Sequence, residues 1–198
     1  MNKKLIIALF GAAGSGKDSL QKEIANQSPD LFHEIISSTT RPPREYEKNG
    51  IDYIFLTDEE SDRNIQQNNY LEYAEFRGWR YGTLKTAIKK DCFNIGVFNI
   101  SGVKQLLKLP HDQYQIIPIH VIVSDKIRLL RQLNREKNPD CDEIIRRYTT
   151  DAIDLAPDQI DFWHLDIYND KDTIVNTAAL IIKQIYEYEL KYYLIRAE

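Results

Sequence analysis

Six apolar residues, Leu5-Ile6-Ile7-Ala8-Leu9-Phe10, run straight into Gly11-Ala12-Ala13-Gly14-Ser15-Gly16-Lys17, and Leu20, Ile24 and Ala25 follow at helical spacing. A buried strand, a glycine-rich turn and a helix in that order imply a sheet with a helix packed back over it. The turn carries the first seven positions of Gly-x-x-x-x-Gly-Lys, whose glycines let consecutive backbone N–H groups face inward around a polyphosphate. Lys17 adds a point charge for the outer phosphates, and the helix starting there offers its positive end. The bare pattern also arises by chance, so the strand before it and the helix after it decide. This is a nucleotide-phosphate site, with Gly11 to Lys17, Asp18 and Ser19 as its candidate residues. Position eight of the pattern calls for Ser or Thr, and here it is Asp18.

The remainder of the 198 residues reads as one α/β domain carrying an insertion. A net charge of -4 argues against general nucleic-acid binding. No run approaches the roughly 20 apolar residues of a membrane span, and the short run at the N-terminus flows into the glycine loop as a strand does. Cys92 and Cys141 show no metal-type spacing and are read as reduced thiols of a cytoplasmic protein. Strands are expected at His33–Ser37, Asp52–Leu56, Tyr70–Phe76, Ile95–Ile100, Gln115–Val123 and Leu165–Tyr168. Pro118 requires either a later start to its strand or an edge or bulge. Helices are expected at Lys17–Asn26, Thr57–Gln67, Gly102–Leu109, from a cap at Asp125, at Cys141–Ile153 and from Asp172 onward. Gly78 and Gly82 read as punctuation after Phe76. Strands alternating with helices imply a mostly parallel, doubly wound sheet, interrupted by a small mixed lobe from Ser37 to Thr83.

That lobe holds a second constellation. In Arg41-Pro42-Pro43-Arg44 the prolines favour polyproline II geometry, so the two guanidinium groups leave one side of the chain roughly 9 Å apart. Such a pair suits a phosphate between its forks, although R-x-x-R alone reads equally as a solvated basic turn. Tyr53 and Tyr81 are hydroxyl donors for the same group or simply packing residues.

The segments SSTTRPPR, NGIDYIF and YLEYAEFRGWRYGT, the glycine loop, the arginines after residue 125 and Tyr168-Asn169-Asp170 together make the chain resemble the guanylate kinases over nearly its whole length. The resemblance implies a P-loop three-layer fold with core 1–36, 84–125 and 156–198, a monophosphate-binding lobe at 37–83 and a small helical lid at 126–155. It implies transfer of the ATP γ-phosphoryl group to GMP or dGMP, with Mg²⁺. Ser37 and Glu72 match the residues that read guanine; a carboxylate accepts from the ring N–H and amino group together, and adenine lacks that pair. Arg41, Arg44, Tyr53 and Tyr81 match the clamp on the monophosphate, with Gly82 and Thr83 beside the base. Arg131 and Arg135, four apart and so expected on one helical face, and Arg147 match the arginines around the transferring group, with Lys17. Arg128 and Arg146 are assigned to surface salt bridges.

The chain departs from the family pattern at three places. Asp18 replaces a hydroxyl residue, although a carboxylate is also a hard-oxygen ligand for Mg²⁺. Asn99 and Ser101, counted with the monophosphate site, stand where acidic residues are usual. Ala12-Ala13 replaces Pro-Ser. Two further readings are a nucleoside monophosphate kinase with altered base preference and a guanylate-kinase-like module that binds a protein. Scaffold versions typically lose the phosphate loop, whereas this chain keeps Lys17. No nucleic acid or membrane partner is expected, and nothing in the sequence speaks to oligomeric state.

Overall fold

Leu5 to Phe10 are almost wholly buried, as a strand covered on both faces requires. A computed structural model describes residues 3–45, 47–135, 137–170 and 172–197, with backbone alone for 190–197. In chain order the elements are β1 Lys4–Phe10, α1 Lys17–Gln27, β2 Phe32–Glu34, β3 Ser38–Thr39, β4 Ile54–Phe55, α2 Asp58–Gln66, β5 Tyr70–Phe76 and β6 Trp79–Leu84. There follow β7 Phe93–Val97, α3 Ile100–Leu106, β8 Tyr114–Ile122, α4 Asp125–Leu133, α5 Cys141–Asp154, β9 Leu165–Tyr168 and α6 Ile174–Ala197. A five-stranded sheet has the order β2-β7-β1-β8-β9 and a four-stranded sheet the order β4-β3-β6-β5. The first is parallel where its pairs are described, and the second mixes parallel and antiparallel pairs. The fold is the α/β architecture with a mixed insertion that strand–helix alternation implies.

Close packing groups the chain into two compact units, Met1–Phe10 with Asp30–Pro118 and Gly11–Pro29 with Ile119–Glu198. In the first unit, Ile7 lies opposite Ile95 across β1 and β7, and Phe32 stacks on Phe93 between β2 and β7. In the second unit, α1 packs against α6, which buries Ala178, Ile181 and Ile185 while leaving Tyr186 exposed. Thr57 caps α2 in a reciprocal pair with Glu60, each side chain taking the other's amide.

Several local expectations change. Gly82 lies inside β6 and is not a break: a Cβ there would stand 2.6 Å from the Glu72 carbonyl oxygen. The β8 strand starts at Tyr114 and runs through Pro118; its pairing with β9 begins only at Ile119, so the proline's missing amide removes no bond to β9. Ser124, not Asp125, holds the N-cap position of α4; its amide donates to Asp170, and the Asp125 carboxylate, in the first turn, accepts from Arg128 and Tyr148. That helix stops at Leu133 with Asn134 as its cap, so Arg135 lies beyond it and does not share a helical face with Arg131. The polar run that follows has no apolar stripe to extend the helix. No helix among the described residues is long and apolar enough to cross a membrane.

Candidate functional site

The second unit contains the glycine loop. Gly11, Gly14 and Gly16 all take positive φ, at 143°, 81° and 93°. A Cβ on Gly11 would meet the Val121 carbonyl oxygen at 2.4 Å, and one on Gly14 the Arg128 carbonyl oxygen at 2.6 Å. The loop is therefore drawn against β8 and α4 more closely than any side chain permits. Lys17 Nζ donates to the Ala12 carbonyl at 2.8 Å and reaches Ser15 Oγ at 3.4 Å. Burial pushes the Lys17 ammonium below the ordinary lysine range, Asp18 and Asp151 oppose that, and Arg147 adds to it. Asp18 and Ser19 are exposed in the first turn of α1.

Asn169, at the end of β9, braces this loop: its Nδ2 donates to the Ser15 carbonyl at 2.8 Å and its Oδ1 accepts from Thr177. Arg131 reaches the carbonyls of Gly14 and Ser15 at 3.4 Å and that of Asn169 at 2.8 Å, so it comes to the loop. Arg147 donates to Glu143 at 2.7 Å, and Arg146 donates to the same carboxylate through two nitrogens. The Arg146 hydrogen bonds above all hold the Glu143 carboxyl far below the usual carboxylate range. Arg128 is not a surface residue. At 4% exposure it sits between Asp125 and Asp151, its guanidinium 3.9 Å from the Tyr148 ring centroid.

Asp151, on α5, carries a role that the sequence pattern does not signal. Its Oδ2 accepts from the Ala13 amide at 2.7 Å and from Arg128 at 3.2 Å. A carboxylate thus holds one of the loop's own N–H groups, the kind of group that makes such loops bind anions.

The first unit contains the other constellation. Register pairing sets Glu72 opposite Thr83, Tyr73 opposite Gly82 and Thr39 opposite both Phe55 and Tyr81. Glu72 is 8% exposed. Burial raises its carboxyl above the usual range while Thr83 pulls the other way. The Thr83 hydroxyl makes no full hydrogen bond among the described residues, although it lies near enough to Glu72 to ease that shift. Glu72 Oε2 also lies 3.0 Å from where a Gly102 Cβ would stand, so a side chain at this position of α3 would press on the Glu72 carboxylate. Ser38 is buried and bonded to the Gly82 carbonyl, whereas Ser37 is half-buried and its carbonyl accepts the Ile54 amide. Gln105, unremarked in the sequence, pairs its side-chain amide with both backbone groups of Tyr73 and so holds the outer edge of β5 beside Glu72.

Arg41, Arg44, Tyr53 and Tyr81 are brought together around Glu47. Arg41 Nη2 donates to both Glu47 oxygens at 2.8 and 2.9 Å, and the Arg44 amide donates at 2.8 Å. Arg41 also lies 5.6 Å from the Tyr53 ring centroid, and Tyr53 meets Tyr81 edge-on at 6.3 Å. The Glu47 side chain is 6% exposed; burial would raise its carboxyl, but the Arg44 amide and the Arg41 guanidinium outweigh this and hold it low. Glu47 thus orients the Arg41 guanidinium and holds the Arg44 backbone, which the Arg-x-x-Arg spacing alone does not reveal. Asn99 and Ser101 are exposed, and the Asn99 side-chain oxygen caps α3 by accepting the Gly102 amide at 2.7 Å. Its amide oxygen is thus spent on the helix.

The guanylate kinase family model matches residues 2–184. A guanylate kinase of Prochlorococcus marinus is 32% identical over 190 residues, covering 93% of this chain and 98% of its own. One of Thermobifida fusca is 30% identical over 180 residues, covering 89% of this chain and 85% of its own. The solved guanylate kinase of Anaplasma phagocytophilum matches with a TM-score of 0.63 over 94% of this chain and 87% of that one; at 19% identity this is a likeness of fold. A loop gripped by Asn169, two arginines organised on Glu47 and a buried Glu72 lie within the matched span, and the chain belongs to the guanylate kinase family.

Proposed function

We propose that this chain is an ATP-dependent guanylate kinase that moves the γ-phosphoryl group of ATP to GMP or dGMP, giving ADP and GDP or dGDP. The observation that carries the base preference is Glu72, a buried carboxylate across a hairpin from Thr83. Guanine offers a ring N–H and an amino group to one carboxylate, and adenine leaves such a carboxylate unsatisfied, which supports discrimination of order 10⁴. Ser37 adds a hydroxyl for the guanine carbonyl, and Thr83 and Gly82 line the base. Arg41, Arg44, Tyr53 and Tyr81 take the monophosphate, in the lobe 37–83.

The loop Gly11–Ser19 takes the ATP phosphates, with Lys17, Arg131 and Arg147 neutralising charge on the transferring group and Arg135 joining from the lid segment 126–155. Mg²⁺ enters with ATP. The exposed Asp18 carboxylate and Ser19 hydroxyl fit a hard, largely hydrated cation that keeps most of its waters. When bound, that ion supplies charge neutralisation at the phosphate oxygens. Two free thiols, Cys92 and Cys141, suit a cytoplasmic setting.

A coupled ADP-release assay across the common ribo- and deoxyribonucleoside monophosphates tests the assignment. GMP or dGMP is the expected best acceptor; a folded enzyme that turns over neither would sink it.

Asp151 yields a second expectation. A phosphate oxygen accepting from Ala13 competes with the carboxylate that already does. Two like charges at about 4 Å cost about 4 kcal/mol at an effective dielectric of 20, although Asp151 escapes much of this by turning away. Asp151→Asn keeps the acceptor and loses the charge, so ATP affinity should improve about tenfold by calorimetry. Unchanged or weaker binding would show that the carboxylate does not oppose the nucleotide.

A further inference from the structure

In the second unit, among residues given no nucleotide role above, His120 on β8, His164 just before β9 and Asp166 within β9 converge. Register pairing sets His120 directly opposite Asp166. His120 Nδ1 lies 3.4 Å and His164 Nε2 3.3 Å from the same oxygen, Asp166 Oδ1, and one ligand atom from each residue falls within 4.8 Å of the other two.

The His164 tautomer follows from its other nitrogen. Nδ1 lies 2.9 Å from the Phe162 carbonyl oxygen, which only accepts, so Nδ1 carries the proton. In the neutral ring Nε2 then presents a lone pair toward Asp166 Oδ1, and an ionised carboxylate presents lone pairs in return. A bound cation would satisfy both of these facing acceptors at once. Their separation also exceeds the 2.7–3.2 Å of an N–H···O bond. It matches the ligand-to-ligand edge of a tetrahedral site with bonds of about 2.0–2.1 Å, which is about 3.3–3.4 Å. An imidazole held through Nδ1–H by a backbone carbonyl is also the usual outer support of a metal-binding histidine.

We propose that His120 Nδ1, His164 Nε2 and Asp166 Oδ1 form a site for one divalent transition-metal ion of the zinc type. Two imidazoles with one carboxylate favour zinc, and disfavour magnesium and calcium, which prefer all-oxygen shells. The Asp166 side chain is 45% exposed, so water can complete the shell. The ion would join β8 to β9 and to Phe162–His164, closing a loop between residues 120 and 164 just before Asn169, which braces the glycine loop. Its effect is therefore expected on stability first.

The test uses the full chain, stripped with chelator and free of nucleotide, titrated with ZnCl₂ by calorimetry and with Co²⁺ by visible absorption. One Zn²⁺ per chain is expected, with a rise in Tm and a Co²⁺ spectrum of low coordination number. His120→Ala, His164→Ala and Asp166→Asn should each weaken binding at least about tenfold and abolish the Tm rise. His33→Ala and a Cys92→Ser, Cys141→Ser double variant should bind as the parent does. Should His120→Ala fail to fold, His164→Ala and Asp166→Asn on the more exposed segment still decide the matter. No stoichiometric binding, or a change below about threefold in the ligand variants, overturns the site.

Discussion

Replacing Lys17 with Met lowers kcat for GMP phosphorylation by at least about a thousandfold, within the range known for removal of one charged group from a phosphoryl-transfer site. The Met side chain keeps most of the volume, so the fold survives, and Tm and far-UV circular dichroism check this. The physical reason is placement. Lys17 Nζ is held inside the loop by the Ala12 carbonyl and Ser15 Oγ, so its charge needs little reorganisation to meet a phosphate. Burial weakens its hold on a proton, and Asp18 and Asp151 restore part of it. Activity should accordingly fall on the alkaline side at a lower pH than an ordinary lysine would give. A Lys17→Met enzyme within tenfold of the parent would remove Lys17 from the chemistry.

The second large effect concerns Glu72. Glu72→Gln should raise KM for GMP by about a hundredfold or more and collapse the preference for GMP over AMP, with much less effect on KM for ATP. The amide cannot accept at both positions from the guanine edge, and it turns a donor toward one of them. Stability should move the opposite way. Burial raises the folded-state pKa of Glu72, so the folded chain binds its proton more tightly than the unfolded chain does. The associated stability is present in full below the unfolded pKa and is lost as pH rises through the folded one. A neutral Gln avoids that loss, so at pH 8 the variant should melt at or above the parent's Tm. Retained GMP/AMP preference would refute the base-reading role. Preference lost together with a large drop in Tm would instead mark Glu72 as structural.

Local chemistry made much of this legible from residues alone. The run Leu5–Phe10, the glycine loop and the helix after it are local features of one covalent stretch, and all three form as read. The strands Tyr70–Phe76 and Leu165–Tyr168 and the capping pair Thr57–Glu60 were equally readable, because alternation and capping act within a few residues. A local rule takes Gly82 for a break, yet it lies within β6. Its real constraint is the Glu72 carbonyl on the neighbouring strand. Spacing groups Arg135 with Arg131, but spacing does not say where a helix runs out of apolar surface to bury.

By itself the sequence determined the family, the loop, Lys17 and the identities of the lobe's charged residues, since these are carried by motifs of contiguous or nearly contiguous positions. Only the tertiary structure decided what their charges do. Glu47 between two arginines, Asp151 on the Ala13 amide, Arg128 buried between two aspartates and His120 facing His164 and Asp166 are all set by neighbours in space. A carboxylate or imidazole reads the same in every sequence. Its burial, and the group it is turned toward, settle whether it is solvated, a brace or a ligand.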